Sequence, residues 1–449
     1  MIKINMTKIR QNTRKVRAFG ALILGGTMAL SCGVIAAETD DSKETFEKLE
    51  LFAEVMAMVK DSYVEDVQDD ALIEGALNGA LASLDPHSSY TPPVEYQEQR
   101  EAVKREYGGL GIEVTMESDL VKVNHALRSG PAYAAGIRDD DLISAVDGVS
   151  VRGKELDEAV SGMRGLSGEP VTVTVLTPGQ IARDVVVVRA QVHGRVVRER
   201  VEQGMGYVSI ETFNNNNLTE DLESALKSLE EEMGGNIPGL IIDLRGNRGG
   251  LLDQSISVSS LFLDGGEVLS ARGRAASDNQ RYNAEPGELF PGMPIVVLVN
   301  SGSASAAEIL AGALQDRGRA VVLGRRTFGK GSVQSVIPLQ RERGALRMTT
   351  QKYYTPSGKS IQGRGVMPDM LVAALKDKGE IQKRFREDSL PNFLINSDDT
   401  DYEEKYEDVN YPPESWADDK DYQLRKAVDV LQTSRYQSLL DAQDARFKN

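Results

Sequence analysis

Histidine and cysteine are nearly absent from this 449-residue chain, which holds three histidines (His87, His125, His193) and one cysteine, Cys32. One cysteine excludes an intrachain disulfide, so stability must come from packing. Three scattered histidines form no cluster at ligand spacing for a metal centre. None of them stands in a sequence context that pairs it with a serine, and Gly302-Ser303-Ala304 does not supply the Gly-x-Ser-x-Gly turn of a Ser-His-Asp hydrolase. Positive charge is short as well: 52 Lys+Arg face 68 Asp+Glu, a formal charge of −16, which excludes non-specific nucleic-acid binding. A long unbroken apolar run is also missing. The stretch 18–37 is interrupted by Gly25, Gly26, Ser31, Cys32 and Gly33, and falls short of the ~20 strongly apolar residues of a membrane span.

What stands at the N-terminus is a secretory signal pattern. Lys3, Lys8, Arg10, Arg14, Lys15 and Arg17 precede the apolar stretch with no acidic residue among the first 37. Cleavage is expected near Ala36 or Ala37 and would take those six basic residues, moving the charge from −16 to −22. The alternatives are a retained membrane anchor and lipidation of Cys32, since Ala29-Leu30-Ser31-Cys32 loosely resembles a lipoprotein box. The expected location is the periplasm or cell envelope.

Length predicts two or three domains. After the signal at 1–37, apolar residues at helical spacing between 43 and 84 predict two or three amphipathic helices in an N-terminal region, 38–100. Asp85-Pro86-His87-Ser88-Ser89-Tyr90-Thr91-Pro92-Pro93 ends them. Residues 101–190 read as a small β module, with strands at 120–123, 141–146, 171–176 and 184–189 and a helix at 156–163. From 204 to 374, within a segment assigned as 191–378, strands alternate with helices. The strands are expected at 207–210, 239–243, 295–300 and 320–323, and the helices at 218–232, 252–263 and 306–315. Such alternation predicts an α/β layer with a partly parallel sheet, and an α/β (α+β multidomain) chain as a whole. The acidic extension 379–449 is expected to be irregular, with a polar stretch at 392–414, until a final helix at 422–431.

The chemistry concentrates in two segments. Ser305 lies in Ser301-Gly302-Ser303-Ala304-Ser305-Ala306-Ala307-Glu308, at a strand-to-helix turn, and Lys330 follows in Thr327-Phe328-Gly329-Lys330-Gly331. A serine hydroxyl needs a neighbouring base, and a lysine sheltered from water loses its proton easily enough to be one. The pair needs no histidine. A serine at a helix mouth stands beside unpaired amides, so the amide of Ala306 is a candidate oxyanion donor. The second donor is expected from the glycine-rich Asp243-Leu244-Arg245-Gly246-Asn247-Arg248-Gly249-Gly250-Leu251, with Gly249 and Gly250 both open. If 330–339 is extended, Lys330 and Gln334 share one strand face, and the glutamine amide can orient the lysine. Taken singly, Lys330 would be a surface lysine and Ser305 a helix cap.

Three segments of the β module, Gly109-Leu110-Gly111-Ile112, Ser129-Gly130-Pro131-Ala132-Tyr133-Ala134-Ala135-Gly136-Ile137 and Asp140-Asp141-Leu142-Ile143-Ser144-Ala145-Val146-Asp147-Gly148, resemble a PDZ domain. That resemblance implies binding of a peptide C-terminus by the amides of Leu110, Gly111 and Ile112. Ser303-Ala304-Ser305-Ala306-Ala307-Glu308-Ile309, Thr327-Phe328-Gly329-Lys330-Gly331-Ser332-Val333-Gln334, the glycine loop, Leu84-Asp85-Pro86-His87-Ser88-Ser89-Tyr90 and Tyr354-Thr355-Pro356-Ser357-Gly358-Lys359-Ser360-Ile361-Gln362-Gly363 together resemble the C-terminal processing peptidases. The likeness runs in order over residues 43–375. It implies a crotonase/ClpP-like α/β protease core with a PDZ module, a serine nucleophile at Ser305, a lysine base at Lys330 and a supporting glutamine at Gln334. It implies no cofactor, and as partners protein substrates with accessible C-termini. An adaptor protein and self-association through the N-terminal and tail helices are further expectations. Two positions depart from the family pattern: Ala307 replaces a serine, and Arg248 stands where a glycine is common.

Two rivals remain. Gly324-Arg325-Arg326-Thr327-Phe328-Gly329-Lys330 imitates a P-loop, but Gly331 replaces the magnesium-holding Ser/Thr and an extended segment follows instead of a helix. A non-catalytic PDZ scaffold would have no use for Ser305 and Lys330.

Overall fold

In the computed structural model, residues 38–447 are described except 105–106, 128–129, 178, 192–195, 377–385, 396–408 and 418–419. The signal pattern at 1–37, with Cys32, as well as His193 and most of the polar stretch at 392–414, lies outside the described residues. The chain divides into two compact units between Ile73 and Glu74.

The first unit carries helix α1 (Glu38–Ser62) and the start of α2 (Asp69–Ala82). The apolar residues that mark α1 at helical spacing, Phe46, Leu49, Phe52, Val55 and Met58, are exposed. After α2, strand β1 (Ser89–Thr91) and helix α3 (Pro93–Lys104) follow.

Residues 107–191 fold around their own core. Strands β2 (Ile112–Glu117), β3 (Leu120–Ala126), β4 (Leu142–Val146), β5 (Pro170–Leu176) and β6 (Arg183–Val188) form an antiparallel sheet in the order β2-β3-β4-β5-β6. Helix α4 (Leu156–Met163) buries Ala159 and Met163 in the same core. Strict alternation in β5, with Val171, Val173 and Val175 inward, shows why β-branched residues at period two form this layer.

The larger core is a six-stranded sheet of β7 (Val197–Glu202), β8 (Met205–Ile210), β9 (Leu240–Asp243), β12 (Ile295–Val299), β13 (Val321–Gly324) and β16 (Met370–Leu371). The β7/β8 pair is antiparallel and every other pairing is parallel. Both faces of this sheet are covered, so β9 and β12 are apolar throughout but for Asp243 at the end of β9. Leu240, Ile242, Ile295, Val297 and Val299 point to the face holding α5 (Leu218–Glu232), α6 (Leu252–Ser260) and α7 (Ala306–Asp316). Ile241, Val296, Leu298, Val321 and Leu323 point to the other face, onto Tyr422, Leu424, Ala427, Val428 and Val430 of helix α8 (Tyr422–Leu431).

A second, antiparallel sheet contains β10 (Glu267–Gly273), β11 (Gln280–Asn283), β14 (Ser332–Pro338) and β15 (Ala345–Tyr354), with β1 as an added edge. Ser89, Tyr90 and Thr91 pair with Arg347, Leu346 and Ala345. The last three residues of segment 85–91, expected as the close of an N-terminal region ending at 100, are therefore built into this sheet. The tail likewise departs from expectation, since α8 is followed by a second helix, α9 (Arg435–Phe447). Gln443 of α9 is fully buried and donates to the carbonyl of Ala320, so the extension after 379 is part of the core packing.

Candidate active site

Strand β12 ends at Val299 and α7 begins at Ala306; between them the chain makes a turn fixed by two polar side chains and one backbone carbonyl. Asn300 Oδ1 accepts from the amides of Gly302 (2.9 Å) and Gly246 (3.0 Å). The Ser303 hydroxyl donates to the carbonyl of Leu244 at 2.7 Å. Asn247, fully buried, accepts from the Ala304 amide through its carbonyl and donates through Nδ2 to Ile210 O. Ser305 emerges with φ 53° and ψ −116°, a left-handed conformation that a non-glycine residue adopts only when its surroundings enforce it.

What enforces it is Glu308, fully buried one turn into α7. Its Oε2 accepts from the amide of Ser305 at 2.8 Å and from the amide of Lys330 at 2.9 Å. Its Oε1 accepts from the amide of Gly329 at 2.7 Å and from the hydroxyl of Thr327. The backbone nitrogens of Ser305 and Lys330 therefore share one oxygen and can be no farther apart than those two bonds end to end. Burial pushes the Glu308 carboxyl up to about 7, against the pull of the hydrogen bonds from Thr327, Gly329, Ser305 and Lys330 toward the ionised form. The sequence already carried a sign of this, because Ser305-Ala306-Ala307-Glu308 has the spacing of a capping box.

Lys330 is held below the usual lysine value, chiefly by loss of water. Glu387 opposes that shift, Arg347 adds to it, and Asp85 and Glu308 oppose it more weakly. Among the described residues no hydrogen bond or ion pair engages its Nζ. A desolvated amine without a bound counter-ion is the form in which lysine takes up a proton readily near neutral pH.

Gln334 is not arranged as expected. Strand β14 starts at Ser332, so Lys330 lies in the preceding loop, and the pairing of β14 with β15 shifts register between Val333 and Gln334. The extra residue at that shift is Thr350 on β15, so β14 keeps its own alternation, and it is the place of Lys330 ahead of the strand that removes it from the rule that residues four apart share a face. The Gln334 amide donates instead to the hydroxyls of Ser332 (2.9 Å) and Thr349 (3.3 Å).

The glycine loop does reach Ser305. A side chain at Gly249 (φ +92°) would come within 2.7 Å of Ala304 O and 2.9 Å of both Ala306 N and Ser305 Cβ. At Gly250 (φ +151°) it would strike the backbone of Phe213 and Asn214 instead. The Gly249 amide is already committed to Asn247 Oδ1 at 2.8 Å, and Gly249 O accepts from Phe213 N and Thr212 Oγ1. The Ala306 amide donates to no group among the described residues. Arg248, the residue that departs from the family pattern, is exposed.

In the β module, Gly111 takes φ +73°, and the carbonyls of Leu110 and Gly111 accept from Ala132 N and Leu127 N. Their own amides have no backbone partner among the described residues. Ile112 opens β2, the edge strand of its sheet.

Comparison with known proteins agrees with this layout. Residues 204–372 match peptidase family S41, 101–176 match the PDZ domain, and 21–92 match the activating protease CtpB N-terminal domain. The chain is 46% identical over 336 residues to the carboxy-terminal-processing protease of Bartonella bacilliformis, covering 74% of this chain and 77% of that one. It is 33% identical over 321 residues to a probable CtpA-like serine protease of Staphylococcus aureus, covering 71% of this chain and 63% of that one. A solved photosystem II D1 C-terminal processing protease is 30% identical, over 71% of this chain and 86% of that one, with a TM-score of 0.43. The chain belongs to the carboxy-terminal-processing proteases of peptidase family S41, serine-type endopeptidases that carry a PDZ domain beside a mixed α/β protease core.

Proposed function

We propose that this protease works in the periplasm or cell envelope, takes its substrates by their C-terminal tails through the PDZ module, and cuts them with Ser305 as nucleophile and Lys330 as general base. The single observation that carries the assignment is the Glu308 carboxylate, whose one oxygen accepts from the amides of both residues. The tail enters as a strand along β2, with its carboxylate on the amides of Leu110, Gly111 and Ile112. Ser305 Oγ then attacks the scissile carbonyl carbon as its proton passes to the neutral amine of Lys330. The carbonyl oxygen becomes an oxyanion, which the amide of Ala306 stabilises together with one from the glycine loop. Gly249 lines that space, and its amide serves once it leaves Asn247; Gly250 is the alternative donor.

Collapse of the intermediate breaks the C–N bond, and the ammonium of Lys330 returns its proton to the leaving amine. Water, deprotonated by Lys330, hydrolyses the acyl-enzyme ester and restores Ser305. None of these steps calls for a cofactor. Gln334, whose Nε2 is committed to Ser332 and Thr349, has no hydrogen bond to Lys330 among the described residues and would have to turn its amide to orient the base. Self-association through the exposed apolar face of α1, an adaptor protein, and membrane attachment through an uncleaved signal or a lipidated Cys32 complete the proposal. The test is cleavage of an unfolded reporter ending in apolar residues by wild type, Ser305→Ala and Lys330→Ala. Both variants are expected to lose turnover at least a thousandfold while binding the reporter, in line with removal of a nucleophile or its base. Turnover retained by either would overturn the assignment.

A further inference from the structure

The Asp85-Pro86-His87-Ser88 segment and the extension after residue 379 meet at the base, and the mechanism above uses neither. Glu387 is fully buried. Both of its carboxylate oxygens lie 2.9 Å from His87 Nε2, and Gln362 Nε2 donates to Oε1 at 3.0 Å. Gln362 in turn accepts the amide of Gly331 through its own Oε1 at 3.0 Å, and the Glu387 amide donates to Phe328 O at 3.2 Å. Glu387 is thus anchored two residues before Lys330 through its backbone and one residue after it through Gln362. On the other side, the buried Asp85 accepts from the Ser88 hydroxyl at 2.6 Å and from the amides of His87 and Ser88. The Ser88 hydroxyl accepts from Thr349 N on β15.

The charged groups facing the Lys330 amine are Glu387 from the tail, Asp85 before β1, Arg347 on β15 and Glu308 on α7, with His87 against Glu387. Of these, Glu387 acts most strongly on Lys330, and it is the one whose carboxylate a histidine covers.

We propose that Glu387, held by His87 and Gln362, is the counter-charge of the catalytic base: a positioning residue that fixes the pH at which Lys330 gives up its proton. The inference rests on the reading of Lys330 as the base. A carboxylate near an ammonium favours the charged form, so Glu387 holds the proton on Lys330 against desolvation, and His87 attenuates that hold by drawing the carboxylate charge to itself.

The experiment is the pH profile of kcat/KM on the full-length enzyme. A base must be neutral to act, so the rate rises with pH through the value set by Lys330. Glu387→Gln keeps the hydrogen bonds but removes the charge, and is expected to move the acidic limb down by roughly half to one pH unit, with the alkaline plateau within about threefold of wild type. Glu387→Asp should restore the limb. His87→Ala leaves the carboxylate charge uncovered and is expected to move the limb up, which gives a test of opposite sign should Glu387→Gln fail to fold. A limb that stays in place or moves the other way in a folded variant overturns the proposal. If Lys330→Ala is inactive and the limbs are unmoved, only this inference fails; if Lys330→Ala is active, the reading beneath it fails.

Discussion

Gly249 carries no side chain because one would sit on Ser305 and its neighbours. The space its absence leaves borders Ala306 N and Ser305 Cβ, and its φ of +92° adds a backbone reason for the same choice. Gly249→Ala is therefore expected to cost about 1–2 kcal/mol in folding stability from the left-handed backbone, and to lower kcat/KM by roughly a hundredfold or more as the methyl group crowds the oxyanion site. Chemical denaturation and steady-state kinetics on one reporter check the two effects separately. Full activity in a folded variant would mean that the loop does not border the reacting carbonyl. At this scale the sequence was legible where chemistry is written in local spacing, as in Ser305 to Glu308. It was illegible for Gln334, because the strand begins only at Ser332, after Lys330, and no local pattern marks where the loop ends.

Strand β9 and helix α8 are joined by an arginine. Arg245, just past β9, donates to Asp243 at 2.6 Å and to Asp421 at 2.6 Å. Asp421 also caps α8 by accepting from Leu424 N at 3.0 Å. Burial pushes the Asp421 carboxyl up, but the Arg245 hydrogen bonds and charge outweigh it and hold the group below the usual carboxylate range. A depressed folded value means that this contribution is present above the unfolded carboxylate value and is lost as pH falls through the folded one. Arg245→Ala leaves the buried Asp243 without its cation and is expected to cost about 3 kcal/mol, seen as a lower denaturant midpoint, with the deficit narrowing toward acid pH. An unchanged midpoint would show that the tail helix is held by its apolar face alone. The helices at 218–232, 156–163 and 422–431 were legible to the residue from their spacing. Helix 252–263 stops at Ser260, where a turn still buries Leu261, Phe262 and Leu263, so burial alone did not mark its end.

Two hydrophobic cores that share no residue build the PDZ module and the protease sheet. Each can satisfy its own packing, so removing residues 107–190 behind a short Gly/Ser linker is expected to leave the protease core folded while abolishing at least tenfold of the preference for a reporter with an apolar tail over one without. The ratio of kcat/KM for the two reporters is the measurement. An unchanged ratio would remove the PDZ module from substrate selection. The two-faced burial of the parallel sheet explains why 240–242 and Ile295–Val299 read as continuous apolar runs.

The amino-acid order by itself determined the element types, the PDZ module, the α/β alternation and the presence of a serine at a strand-to-helix turn and of a glycine-flanked lysine, because helix and strand periods and turn chemistry act over a few neighbours. Only tertiary structure decided that Ser89 to Thr91 joins the second sheet, that α8 covers the back of the first, and that Glu387 meets His87 three hundred positions away. Those contacts are fixed by burial of a shared core and by satisfaction of buried charge, and neither quantity exists until the chain has closed on itself.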